Sequence, residues 1–132
     1  MSSAPSLILL AAGVGFIGFG VAYALRPTQM ARLTDLTLTT PTARADFVAT
    51  YGGFQIGFGL FLLACSREAS WLVPGLWATL AALGGFGSLR VLMALQQRGR
   101  VRGSIWLGLG LEVLGIALSA WGLAQVHQAG IR

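Results

Sequence analysis

Four stretches of this chain run for about 19 to 25 residues with at most one charged side chain in each: Leu7 to Leu25, Phe47 to Cys65, Trp71 to Leu95 and Ser104 to Val126. At about 1.5 Å of rise per residue, each run reaches most or all of the way across a hydrocarbon layer about 30 Å thick. Inside that layer the backbone must satisfy its own polar groups, which a helix does and an open strand does not. The pattern therefore predicts an all-α fold, a polytopic integral membrane protein built as an antiparallel bundle of four transmembrane helices. The expected helices lie at about 6–25, 44–65, 71–96 and 104–126, within a single membrane domain covering 1–132.

Composition excludes the soluble alternative. Only 10% of the 132 residues are charged and 55% are hydrophobic, whereas an ordinary soluble domain carries about 25% charged residues. Ala22-Tyr23-Ala24 has the look of a signal-peptidase site, but Met1 to Ser6 carries no positive side chain. The run is also longer than a usual signal-peptide core, so it reads as a first membrane helix.

All nine basic residues are Arg, set against four acids, for a formal net charge of +5. They cluster in short loops between the apolar runs, which points to topology and to anionic lipid headgroups as partners rather than to nucleic acid. Arg26, Arg32, Arg44, Arg98, Arg100 and Arg102 fall on one side, against Arg67 and Arg132 on the other. By the positive-inside rule the two Arg-rich loops face the cytoplasm, in a cell inner membrane protein whose two termini are non-cytoplasmic. The longer of these loops, 26–43, holds Met30, Leu33 and Leu36 at a spacing that suits a short helix lying at the membrane interface. Thr40-Pro41 then reads as the cap and first turn of the second helix.

Cys65 and His127 are each the only residue of their kind. With four scattered carboxylates they make no metal-ligand spacing and no nucleophile with its base, and no motif names a cofactor. A Glu and a Tyr alone supply acid–base groups but position no nucleophile, so enzymatic chemistry is not the expectation.

Small residues supply the means of packing, because lipid tails give helices no hydrophobic push toward one another. Seams at alternating spacings of three and four include Gly15 and Gly18 in the first helix, Gly52 in the second, Gly85 in the third, and Gly108 and Gly115 in the fourth. Gly53 and Gly57 add a GxxxG pair. Ile-Gly-Phe-Gly occurs twice, at Ile17 to Gly20 and at Ile56 to Gly59.

Charge within the apolar runs carries the functional weight, since an ionisable side chain at a helix centre costs about 2.5 to 3.5 kcal/mol on insertion scales. Arg90 and Glu112 are the two such residues, at similar distances either side of the basic turn, and are expected to pair between helices three and four. Tyr51 and Gln55, one turn apart on the second helix, reach the same depth. Together Tyr51, Gln55, Arg90 and Glu112 form a candidate polar binding cluster in the cytoplasmic half of the bundle.

From Arg44 to Phe61, with the core Ala49-Thr50-Tyr51-Gly52-Gly53 followed by spaced glycines, the sequence resembles a family of small bacterial membrane proteins known as domain of unknown function 4345. An Arg late in the third helix, here Arg90, and a Glu in the fourth, here Glu112, are similar to that family as well. The resemblance implies a four-helix membrane protein and brings no activity with it. Small multidrug exporters differ in carrying their Glu in the first helix, and fluoride channels in the position and spacing of their Gly-Gly and Arg motif.

Two function classes follow. The favoured one is a structural or accessory subunit, whose glycine seams and Arg-rich loops serve a homo-oligomer or a larger membrane complex. The alternative is binding or transport of a small amphiphile (a lipid, isoprenoid or quinone) through the polar cluster.

Overall fold

The computed structural model describes residues 3–98 and 102–128, and is all-helical over those residues. Arg100 and Arg132, counted above for topology, lie outside the described residues. Six α-helices follow in order: α1 Ala4–Leu25, α2 Pro27–Leu33, α3 Pro41–Phe47, α4 Phe54–Cys65, α5 Leu72–Gln96 and α6 Gly103–Gln128. A π-helical turn, Val48–Gly53, joins α3 to α4 without a break, and a 3-10 turn, Ala69–Trp71, leads into α5. Four helical spans, Ala4–Leu25, Pro41–Cys65, Ala69–Gln96 and Gly103–Gln128, are long and apolar enough to cross a membrane.

Local chemistry sets the helix ends. Ser3 caps α1 by accepting from the Ser6 N–H, and Thr40 caps α3 by accepting from the Ala43 N–H, each just before a Pro that needs no such bond. The connection after α2 closes as a Schellman turn, in which the Leu36 N–H donates to the Ala31 carbonyl and the Asp35 N–H to the Arg32 carbonyl. Asp35 adopts the left-handed conformation this turn requires, with φ 56°. Its carboxylate pairs with Arg102 at the foot of α6, whose Nη1 also donates to the Arg32 carbonyl at 2.8 Å. Ser104 donates to the Leu33 carbonyl beside it. The long Arg-rich loop is thereby tied across the bundle to the start of the fourth span.

Helix α1 packs against α4 and the π turn on one side and against α6 on another, and α5 packs chiefly against α6. Two reciprocal glycine pairs bring α1 and the second span together. A Cβ built on Gly13 would lie 2.9 Å from the Gly59 carbonyl oxygen, and one on Gly59 would lie 2.7 Å from that of Gly13. Gly20 and Gly52 repeat the relation, at 2.8 and 3.3 Å. Early residues of one helix thus meet late residues of the other, so the two run in opposite directions.

These contacts correct the expected seams. Gly15, Gly18, Gly53, Gly57 and Gly85 have nothing within 4 Å of a built Cβ and face outward. The line of approach in α1 passes through Gly13 and Gly20 instead, seven residues or about two turns apart. Of the expected positions, Gly52, Gly108 and Gly115 do lie at interhelical contacts, against Gly20, Arg90 and Leu83 respectively. In both copies of Ile-Gly-Phe-Gly it is the second glycine, Gly20 or Gly59, that meets the partner helix.

The apolar core gathers at the end of the bundle away from the Arg-rich loops, where Leu9, Leu62, Cys65, Leu72, Leu76 and Val126 are buried together. Steps of seven keep a residue on the same helix face, and they carry each helix inward from this layer. They run Leu9, Phe16, Tyr23 on α1; Leu62, Gln55 on α4; Leu76, Leu83, Arg90 on α5; and Val126, Ser119, Glu112 on α6. The interior thus changes from mainly apolar at one end to mixed at mid-depth, and to aromatic and ionised toward the Arg-rich end.

Candidate functional site

Arg90 and Glu112 meet where those two series reach the same level. Nη2 of Arg90 lies 2.9 Å from Oε1 of Glu112, with 27% and 10% of the respective side-chain surfaces exposed. The helices make room for the pair reciprocally. A Cβ on Gly108 of α6 would lie 2.9 Å from Nη1 of Arg90, so a side chain there would require the guanidinium to move. A Cβ on Gly87 of α5 would come within 3.5 Å of Oε2 of Glu112. Each charged side chain therefore lies over a glycine of the other helix.

Pairing is incomplete. Nε of Arg90 and Oε2 of Glu112 are both buried and have no hydrogen-bond partner in the protein. In a guanidinium, the Nε–H and one N–H of Nη2 project from the same edge, the fork that commonly grips both oxygens of a carboxylate. Here Nη2 is paired with Oε1 by distance, and neither Nε nor Oε2 has a hydrogen-bond partner. Two turns further along α6, the hydroxyl of Ser119 is also buried without a partner. An unpaired buried polar atom costs about 1 to 3 kcal/mol, and two of these three belong to the one ion pair.

The expected cluster of four is only partly assembled. Arg90 and Glu112 are in contact. Tyr51 instead joins an aromatic stack, with its ring 5.5 Å from that of Tyr23 and 4.8 Å from that of Phe47. Gln55 shares the face of α4 that carries Leu62 and is half-buried. What displaces Tyr51 from a simple helical relation to Gln55 is the π turn, which lies between α3 and α4 and widens the backbone spiral there. Such turns are rare and recur at functional sites. Tyr51 also borders a cavity of about 390 Å³ between the 36–38 segment and the second span, lined in addition by Leu38, Asp46, Phe47 and Thr50. Tyr23, which the candidate cluster did not include, stacks on Tyr51 beside this region. The steps of seven from Leu9 and from Val126 were the available signals for Tyr23 and Ser119.

The model of the family described as "Domain of unknown function (DUF4345)" matches residues 5–123. The chain belongs to this DUF4345 family. The match takes in the Ala49-Thr50-Tyr51-Gly52-Gly53 core, which forms most of the π turn, as well as Arg90 and Glu112. No curated protein and no solved structure matches the chain. Among the described residues, no group of three or more His, Cys, Asp or Glu is placed to hold a metal ion.

Proposed function

We propose that this DUF4345 protein binds a small membrane amphiphile, whose polar head enters the bundle at Arg90 and Glu112. The observation that carries the reading is the pair of buried, partnerless atoms, Nε of Arg90 and Oε2 of Glu112, beside the contact between Nη2 and Oε1. A purely structural pair would be expected to close both bonds, because each one left open inside the bundle is a standing cost. Tyr23, Tyr51 and Gln55 line the same half of the bundle. The closed apolar layer of Leu9, Leu62, Leu76 and Val126 at the far end favours binding over passage through the bundle. The protein sits in the inner membrane with its Arg-rich loops on the cytoplasmic face, against anionic headgroups, so the head binds in the cytoplasmic half. Purification in mild detergent followed by mass spectrometry of the extract tests this. The wild-type protein is expected to carry a stoichiometric amphiphile that Arg90→Met loses; wild-type and variant extracts that do not differ would overturn the reading.

A second reading, an accessory subunit or homo-oligomer, is favoured by the outward-facing glycines. Gly53 and Gly57 lie one GxxxG step apart on the lipid side of the second span, and Gly15 and Gly18, three residues apart, also face outward on α1. A partner polypeptide in the same mass spectra would support it.

A further inference from the structure

We infer that the head group taken by the Arg90–Glu112 site is a neutral hydroxyl, an alcohol or phenol carried on an apolar tail, and not an anionic phosphate or carboxylate. The inference rests on the amphiphile reading above and narrows it. The site offers one donor, the Nε–H of Arg90, and one acceptor, Oε2 of Glu112, both buried and neither partnered within the protein. A hydroxyl is the simplest head group whose chemistry answers both, since its oxygen accepts from the first and its hydrogen is donated to the second. An ether or ketone has no hydrogen to give and leaves Oε2 unsatisfied. An amine nitrogen does both only when neutral, and an alkyl amine is a cation at neutral pH.

Charge points the same way. The pair is already neutral, with Nη2 and Oε1 at 2.9 Å. An anionic head would have to displace Glu112 or be buried beside its carboxylate, and a cation would face Arg90 in the same manner. Both are costly in a low-dielectric interior, where a charge needs its own partner.

Depth adds an independent argument. Glu112 lies nine residues into α6 from Gly103, about 14 Å along the helix axis, and Arg90 six residues from the end of α5 at Gln96, about 9 Å. Phosphate headgroups reside at the interface; a hydroxyl is far less costly to bring to this depth than a charged group, provided it finds hydrogen-bond partners there. Gly87 leaves space beside Oε2, where a built Cβ would stand 3.5 Å away, for the incoming oxygen.

Three probes with one tail separate the possibilities: farnesol, its methyl ether and farnesyl phosphate. Saturable binding of each is measured by equilibrium dialysis against the full-length protein in nanodiscs. Farnesol is expected to bind about tenfold or more tightly than either of the others, the order of loss when a buried hydrogen-bonding group is left unpaired. In Glu112→Gln the side-chain amide supplies a donor of its own, so the preference for the alcohol over the ether should collapse. The wild-type comparison stands even where that variant folds poorly. Tightest binding of farnesyl phosphate, abolished by Arg90→Met, would overturn the hydroxyl assignment and leave the amphiphile reading standing. Unsaturable, indistinguishable uptake of all three would overturn both.

Discussion

Gly108 lies directly against the Arg90 guanidinium, so close that a methyl group built there would sit 2.9 Å from Nη1. The glycine is therefore part of the ion pair's geometry, although it carries no charge. Gly108→Ala is expected to push the guanidinium off Glu112 and to destabilise the protein by about 1 to 3 kcal/mol, the range for overpacked sites. Gly87→Ala places its methyl at ordinary contact distance from Oε2, 3.5 Å, and should cost less. Thermal unfolding in detergent distinguishes the two; equal losses would mean that the pair is not held by this glycine.

The ion pair itself invites a double-mutant cycle. Arg90→Met or Glu112→Gln alone removes one partner of a largely buried pair, a change that costs about 3 to 5 kcal/mol where the remaining charge is fully stranded. Arg90→Met leaves the Glu112 carboxylate stranded, and is expected to be the worse single variant, since Glu112 is the more buried partner. The double variant strands no charge and should be more stable than either single one. Additive losses in folded yield and melting temperature would contradict a direct pairing.

Two classes of glycine should respond differently to the same substitution. Gly59→Leu and Gly13→Leu would drive a side chain into the backbone of the facing helix and are expected to abolish folding. Gly18→Leu and Gly57→Leu enter open space and should leave the monomer's stability within about 0.5 kcal/mol, as for exposed positions generally. If Gly57→Leu lowers the oligomeric state seen by size-exclusion chromatography with light scattering while the monomer stays folded, the outward GxxxG pair serves assembly.

Topology follows from the Arg-rich loops. Reporter fusions at either terminus are expected to be active only on the non-cytoplasmic face, and fusions after Leu36 only in the cytoplasm. A C-terminal fusion active only in the cytoplasm would reverse the orientation and place the Arg90–Glu112 level in the other leaflet.

The pairing partners were legible in the sequence because they are rare. Two charges in four apolar runs, at similar distances from one turn, leave few arrangements in which neither is stranded. The packing glycines were not legible, because 19 of them are spread through the chain. Several seams satisfy the same spacing rule, and the correct one in α1, through Gly13 and Gly20, lay among the alternatives. Tyr51 shows a third case. Its residue type marked it as notable, but its place was decided by a π turn, a local change of hydrogen-bond partner that hydrophobic periodicity does not register.

Local and compositional terms determined the four helices, their caps at Ser3 and Thr40, and the two charges that had to be neutralised, since each depends on a residue and its near neighbours in the chain. Only the tertiary structure decided which helix faces meet, because several faces of each helix are almost equally apolar and small, and backbone approach selects among them. That selection sets Gly108 against Arg90, turns Gly53 and Gly57 outward, and leaves Nε of Arg90 and Oε2 of Glu112 buried without hydrogen-bond partners.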